Sequence, residues 1–323
     1  RSTWGIVPHF SKDADTGQIQ LEVSGVGAYA RLGWDEAWPD PARAIGNQPV
    51  IASTDPAPYR GPAETVIKQL VRGNLRDRRG MVIAIPTDQG RGATRSARPV
   101  FDNLLEVVTN LAKLGGLSVD VGLINVGGAT STRANLTLMV DVPEDKTAEV
   151  LLTNPAGTID AWEQVESEPT ATKAIVGGAG NGGADRVFQV VTTPESEAAA
   201  LAWGGHRVVL VDGPATFDPE ELTQAGQQAL LDGGATRTLS ITAADSEGQM
   251  AFRDYSPGDK ATGEVIEGET VQEVITSIEV QVSADDGVTV VPTFGDPSAT
   301  DAELDIADQL GRAKRAIRKL ERK

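Results

Sequence analysis

The chain of 323 residues carries 29 Lys and Arg against 46 Asp and Glu, a net charge of −17. So acidic a surface repels phosphate backbones and speaks against tight nucleic-acid binding. The absence of cysteine excludes disulfides, thiolate metal sites and cysteine nucleophiles, and no apolar run reaches the ~18 residues that read as a membrane span.

Length suggests roughly two domains. The 35 Gly and 18 Pro, set among 40% hydrophobic residues, fit a globular, turn-rich chain. Residues 4–10 and 18–32 read as a hairpin around the turn cluster Asp13-Ala14-Asp15-Thr16-Gly17. The chain opens on Arg1, already within strand-like sequence, so residues before it are expected to be cleaved, disordered or missing from this stretch. A Pro-rich connector follows over 38–62.

Pro62 is placed to begin a first helix, in which Val66, Ile67, Leu70 and Val71 recur at helical spacing. That helix should fade near Gly73 or continue as a basic turn to Arg79, and residues 81–85 read as a strand. A second helix is predicted from Pro99, with Leu104, Leu105, Val107, Val108, Leu111 and Leu114 on its apolar face and Gly115-Gly116 as its stop. From residue 117 short strand-like runs at 117–126, 134–142, 149–153, 158–165, 171–176 and 186–193 suggest a sandwich or barrel. Two helical pieces interrupt them, an Ala-rich one over 194–203 and a well-marked one over 217–231, with a strand-like run at 206–211 between. In the second piece Asp218 caps, Pro219 stands first and Glu221 third. Strand-like runs resume at 236–243, 249–255, 270–283 and 288–293.

No catalytic constellation, cofactor site or metal site emerges. Gly178-Ala179-Gly180-Asn181-Gly182-Gly183 holds a GxGxxG pattern, but a strand follows where a dinucleotide site needs a helix. Asp13 opens a calcium-loop-like stretch, yet Ser24 stands where the twelfth-position Glu belongs. The two histidines, His9 and His206, lie in no metal or nucleophile motif. Asp160, Glu163, Glu166 and Glu168 supply carboxylates, but only Trp162 is at hand to line a sugar groove, so they read as acidic surface. The run Arg76-Asp77-Arg78-Arg79 reads as a solvated face.

The end of the chain carries more. Thr300 and Glu303 form a capping-box pattern. Ile306, Leu310, Ala313, Ile317 and Leu320 then step by four and three as a heptad seam. Acids cluster early (Asp301, Glu303, Asp305, Asp308) and bases late (Arg312, Lys314, Arg315, Arg318, Lys319), in the order a helix dipole favours. Two heptads are too short to associate alone, so the seam needs an oligomer already held by the β-domain, or else packs on its own domain.

Several stretches resemble the tail-tip hub proteins of long-tailed bacteriophages, especially those of actinobacterial hosts. They are Gly61-Pro62-Ala63-Glu64-Thr65-Val66-Ile67 with Asn74, Phe101-Asp102-Asn103-Leu104-Leu105, the run from Glu168 to Gly178, Phe252-Arg253-Asp254-Tyr255-Ser256-Pro257-Gly258-Asp259, and the ending from Gly287 to Gly295. The resemblance implies an α+β, mainly β chain with two β-barrel or sandwich-like tube domains, helical insertions and a C-terminal helix. Residues 1–60 would be a partial first barrel, since such hubs normally have further strands before this start. Residues 61–116 would be a helical linker region, 117–193 with 234–297 the second barrel, 194–233 an inserted α/β excursion, and 298–323 the amphipathic helix. The resemblance further implies a virion tail-tip location and a homotrimer with its seam at Ile306, Leu310, Ala313, Ile317 and Leu320. Implied partners are a distal tail protein or tube ring, fibre or spike proteins, and the tape-measure protein. The rival expectations are a tail-associated cell-wall hydrolase and a host carbohydrate-binding module.

Overall fold

The structure, a computed structural model, describes residues 5–15, 18–49, 55, 57–125, 134–153, 159–180, 185–243, 249–266, 269–283 and 287–295. β1 (Gly5–Asp15) and β2 (Gln18–Gly27) form the expected hairpin, antiparallel from Gly5 opposite Gly27 to Asp15 opposite Gln18. The second strand stops short of residue 32. From Ala28 to Trp34 the chain winds into a 3-10 helix that buries Ala28 and Leu32. β3 (Glu36–Ala37) and β4 (Tyr59–Pro62) lead to α1 (Ala63–Val71), which runs on as a π-helical segment over Arg72–Arg78. Pro62 is the cap of α1 instead of its first residue.

β5 (Ile83–Ala84), β6 (Thr94–Ala97) and β7 (Asp102–Asn103) precede α2 (Leu104–Gly115). This helix begins at Leu104, not at Pro99. Residues 102–103 pair with β3, and the Asn103 side chain accepts from the N–H groups of Leu105 (3.1 Å) and Glu106 (3.3 Å), which sets the start. Gly116, at φ 70°, closes it as a left-handed cap, as read from the glycine pair. β8 (Ser118–Asn125) and β9 (Ala134–Asp141) form the next hairpin, and β5 lies parallel beside β9.

β10 (Leu151–Thr153), β11 (Ile159–Ser167), β12 (Lys173–Gly177) and β13 (Phe188–Val191) follow, then α3 (Pro194–Ala202), β14 (Val208–Asp212), α4 (Pro219–Asp232) and β15 (Thr236–Ala243). Residues 249–255 are not the strand their composition suggests. The Asp254 carboxylate accepts from the Met250 N–H at 2.8 Å and folds the run into a tight turn with Phe252 at φ 62°. β16 (Lys260–Ile266), unread in the sequence because Thr262-Gly263-Glu264 interrupts its apolar pattern, comes next. β17 (Glu269–Ser283) and β18 (Gly287–Gly295) end the described chain. The described residues are α+β and mainly β, as expected.

The chain packs as two units. One comprises the described residues of Arg1–Val142, Lys173–Thr192 and Val209–Leu231. Its core joins Val66, Ile67 and Leu70 of α1, Leu104, Val108 and Leu111 of α2, and Leu138 and Val140 of β9. The two helices cross so closely that a methyl on Gly115 would lie 2.4 Å from Ala63 Cβ. A three-stranded sheet in the order β13-β12-β14 belongs to this unit, with α4 on one face. There a methyl on Gly226 would lie 2.5 Å from a Val191 methyl, and Gln189 donates to Thr223 Oγ1 at 2.6 Å.

The other unit comprises the described residues of Pro143–Thr172, Thr193–Val208 and Asp232–Lys323. It is built on a six-stranded sheet in the order β10-β16-β17-β18-β15-β11, around Leu152, Leu239, Ile241, Tyr255, Ile275 and Phe294. β10 and β11 are consecutive in the chain yet lie at opposite edges. The steps from Thr153 to Ile159 span at most about 22 Å, whereas five gaps in a flat sheet would need about 24 Å. The sheet therefore curls, bringing its edges toward each other.

Candidate functional site

The chemistry of this chain has to be sought among its charged groups, and their placement is structural. Glu64 lies in the first turn of α1 and is wholly buried. Its carboxylate accepts from Lys68 Nζ (2.5 Å), one turn on, and from Arg91 through the backbone N–H (2.9 Å), Nε (2.9 Å) and an Nη (3.1 Å). Arg91 also donates to Asp141 at 3.0 Å and to the Val140 carbonyl, and Lys68 to the Thr87 carbonyl at 3.0 Å. Burial by itself would raise the Glu64 pKa. The hydrogen bonds from Arg91 and Lys68 outweigh it and hold the carboxyl at about 2. The carbonyls of Arg91 and Ala93 accept from the N–H groups of Glu64 and Ala63, so this loop also caps α1. The cluster fastens the loop to α1 and β9.

A second clamp lies beside α4. Arg98 grips Glu221 with two parallel bonds of 3.0 Å, and the side chains are only 9% and 4% exposed. Gln224 pairs with the backbone of Ser96 in both directions, at 2.9 and 2.8 Å, and Arg60 reaches Asp218 at 3.2 Å and also Glu220. Asp218 caps α4 as read, accepting from the Glu220 N–H at 2.9 Å. Glu221 does not close a capping box, because Arg98 holds it. A cavity of about 240 Å³ lies beside this clamp, among β6, α2 and α4.

The residues singled out in the sequence do not converge. His206 meets Glu197 at 3.5 Å near the surface. The nearby Ser196 hydroxyl is buried in a capping box with Thr193, so it is no nucleophile. Asp160, Glu163, Glu166 and Glu168 stand exposed on or just beyond β11, an edge strand; Glu166 meets Arg237 at 3.1 Å and Glu168 meets Arg207 at 2.6 Å. Charges along an edge discourage unwanted strand pairing, which accounts for them without a sugar. The glycine run is needed for close packing: a methyl on Gly178 would sit 2.6 Å from the Thr216 carbonyl oxygen, and β13 follows, not a helix. Asn181, Gly182 and Gly183 lie outside the described residues, as do Thr16 and Gly17 of the acidic turn. The basic run is a brace more than a solvated face. Arg78 and Arg79 bind Asp35 at 3.0 and 2.6 Å, and Arg78 lies 4.4 Å from the centre of the Trp38 ring. The seam of Ile306, Leu310, Ala313, Ile317 and Leu320 lies outside the described residues.

Among the described residues no group of His, Asp and Glu is placed to hold a metal ion, and no helix is long and apolar enough to cross a membrane. Sequence reading missed both buried clamps. The spacing of Glu64 and Lys68, four apart, was a visible signal, whereas Arg98 and Glu221 are 123 residues apart and gave none.

A family model described as Siphovirus ReqiPepy6 Gp37-like protein matches residues 2–296. No curated protein matches the chain. Among solved structures, the 43 kDa tail protein of prophage MuSo2 from Shewanella oneidensis is similar over 91% of this chain and 78% of its own. Its identity is 17% and its TM-score 0.54. The tail protein from Neisseria meningitidis MC58 is similar over 91% of this chain and 80% of its own, at 14% identity and a TM-score of 0.50. At these identities the likeness is one of fold.

Proposed function

The chain belongs to the Siphovirus ReqiPepy6 Gp37-like family, a family of phage tail structural proteins, and we propose that it is the hub at the tail tip of a long-tailed phage. In this reading three copies form a ring that closes or adapts the end of the tail tube. They meet a distal tail protein or tube ring above and carry fibres or a spike below, with the tape-measure protein as a further neighbour. An actinobacterial host is part of the proposal. The role is architectural, with no reaction catalysed.

The observation that carries the reading is the curled six-stranded sheet, in a chain that shares its fold with two phage tail proteins over about nine-tenths of its length. The buried clamps add to it: they engage Glu64, Lys68, Arg91, Arg98 and Glu221 in stiffening the chain. The acidic charge suits a channel through which DNA must slide without sticking. Density of the tail tip in intact virions tests this directly. Three copies at the distal end of the tube are expected; six copies, or none, would contradict the hub. Clearing of purified host cell walls by the protein alone would favour the hydrolase instead.

A further inference from the structure

The three-stranded sheet has one covered face and one bare face. α4 covers the first, over Val176, Val191 and Ala174, all buried. On the other, Phe188 (50% exposed), Val190 (61%) and Leu210 (71%) stand in solvent beside Ile175. The register puts Ile175 opposite Val190, and Leu210 alternates with the less exposed Val209 and Val211 along β14, so these side chains share the face turned away from α4. Flanking bonds run from the Thr172 N–H to the Arg207 carbonyl and from the Gly213 N–H to the Gly177 carbonyl, so β14 lies parallel to β12. A strand with apolar residues toward both faces has the pattern of one covered on both sides. β14 reads Val-Val-Leu-Val before Asp212. The guarded edge strand β11 sets the contrast, since this chain does charge a surface that it means to leave wet. An apolar patch with a charged rim, here Lys173, Arg186 and Asp212, has the anatomy of an interface.

We propose that the cover is the segment 300–323 of a neighbouring copy, a contact that rests on the homotrimer reading. The usual second layer on such a sheet is an amphipathic helix, and that segment has the pattern of one, with its seam of Ile306, Leu310, Ala313, Ile317 and Leu320. Dimensions agree. The fourteen steps from Ile306 to Leu320 rise about 21 Å as a helix, and five-residue strands are about 16 Å long. The acidic first half of the segment suits Lys173 on the rim, where Arg186 is already paired with Asp212. A head-to-tail contact of this kind can close a ring when its rotation closes, which a two-fold contact cannot.

The chain has no cysteine, so engineered thiols report without background. Full-length Leu210→Cys, combined in turn with Leu310→Cys, Ala313→Cys and Ile317→Cys, would be oxidised and resolved on denaturing gels. Leu201→Cys, on the exposed face of α3, replaces Leu210→Cys in the control pairs. The expected result is covalent oligomers up to a trimer from at least one Leu210 pair and none from the controls. Leu210 is exposed, so Leu210→Asp should fold and weaken association at least tenfold. A bond closing within single chains would overturn the neighbouring-copy contact. Trimers that never cross-link and ignore Leu210→Asp would overturn this inference and leave the hub reading standing. A full-length chain that stays monomeric and never cross-links would overturn both.

Discussion

Glu64 is a carboxylate that folding makes more acidic, from an ordinary 4.5 to about 2. Its contribution to stability is therefore fully present above pH 4.5 and is lost as the pH falls toward 2. The lowering corresponds to stabilisation on the order of 3 kcal/mol. Glu64→Gln leaves Lys68 without its counter-charge and Arg91 with Asp141 alone, and should cost about 3–5 kcal/mol at neutral pH. In urea unfolding, the gap between parent and variant should narrow steadily from pH 4.5 to pH 2.5; a gap independent of pH would show that the carboxylate is not the anchor. Arg98 and Glu221 make the complementary case. Arg98→Met strands the buried Glu221 carboxylate, at about 3–5 kcal/mol, whereas adding Glu221→Leu should recover much of that. Additive losses in a double-mutant cycle would mean that the two groups act independently. Neither cluster shows in a sequence as what it is: Glu64 and Lys68 suggest only a helix pair, and Arg91 and Arg98 look like any loop arginine.

At the scale of elements, close approach decides where glycine is tolerated. Gly226 sits in the middle of α4, where alanine would normally help by about 1 kcal/mol. Its place against Val191 reverses the sign, because a methyl there would lie 2.5 Å from a Val191 methyl. Gly226→Ala should lower the melting temperature, with a loss of about 1–3 kcal/mol from overpacking; an unchanged or higher melting temperature would show that α4 stands further from the sheet. The helices were legible because their caps and periodicity are local. Asp218, Pro219 and Gly116 do in the structure what their positions suggest. Less local features were not. The α2 start moved from Pro99 to Leu104 because residues 102–103 pair with Glu36 and Ala37, more than sixty residues away. Residues 249–255 carry a strand's composition, but the Asp254 side chain bonds back to Met250 and bends them into a turn.

For the whole molecule, the sequence shows a β-rich chain without a catalytic pattern, and its family follows from spaced motifs along its length. It does not show which strands share a core with which helices, because Leu138 and Val140 look like any alternating strand and find α1 and α2 only in three dimensions. Nor does it show the bare face made by Phe188, Val190 and Leu210, since apolar residues in a strand read as core until the sheet order is known. Assembly is the property that would give these features a purpose. The chain is 33.9 kDa, and the most direct test is its mass in solution, by light scattering coupled to size exclusion over a range of concentrations. A mass near three times 33.9 kDa, about 102 kDa, is the result expected of a trimeric hub. A mass that stays at 33.9 kDa at every concentration would contradict a preformed ring.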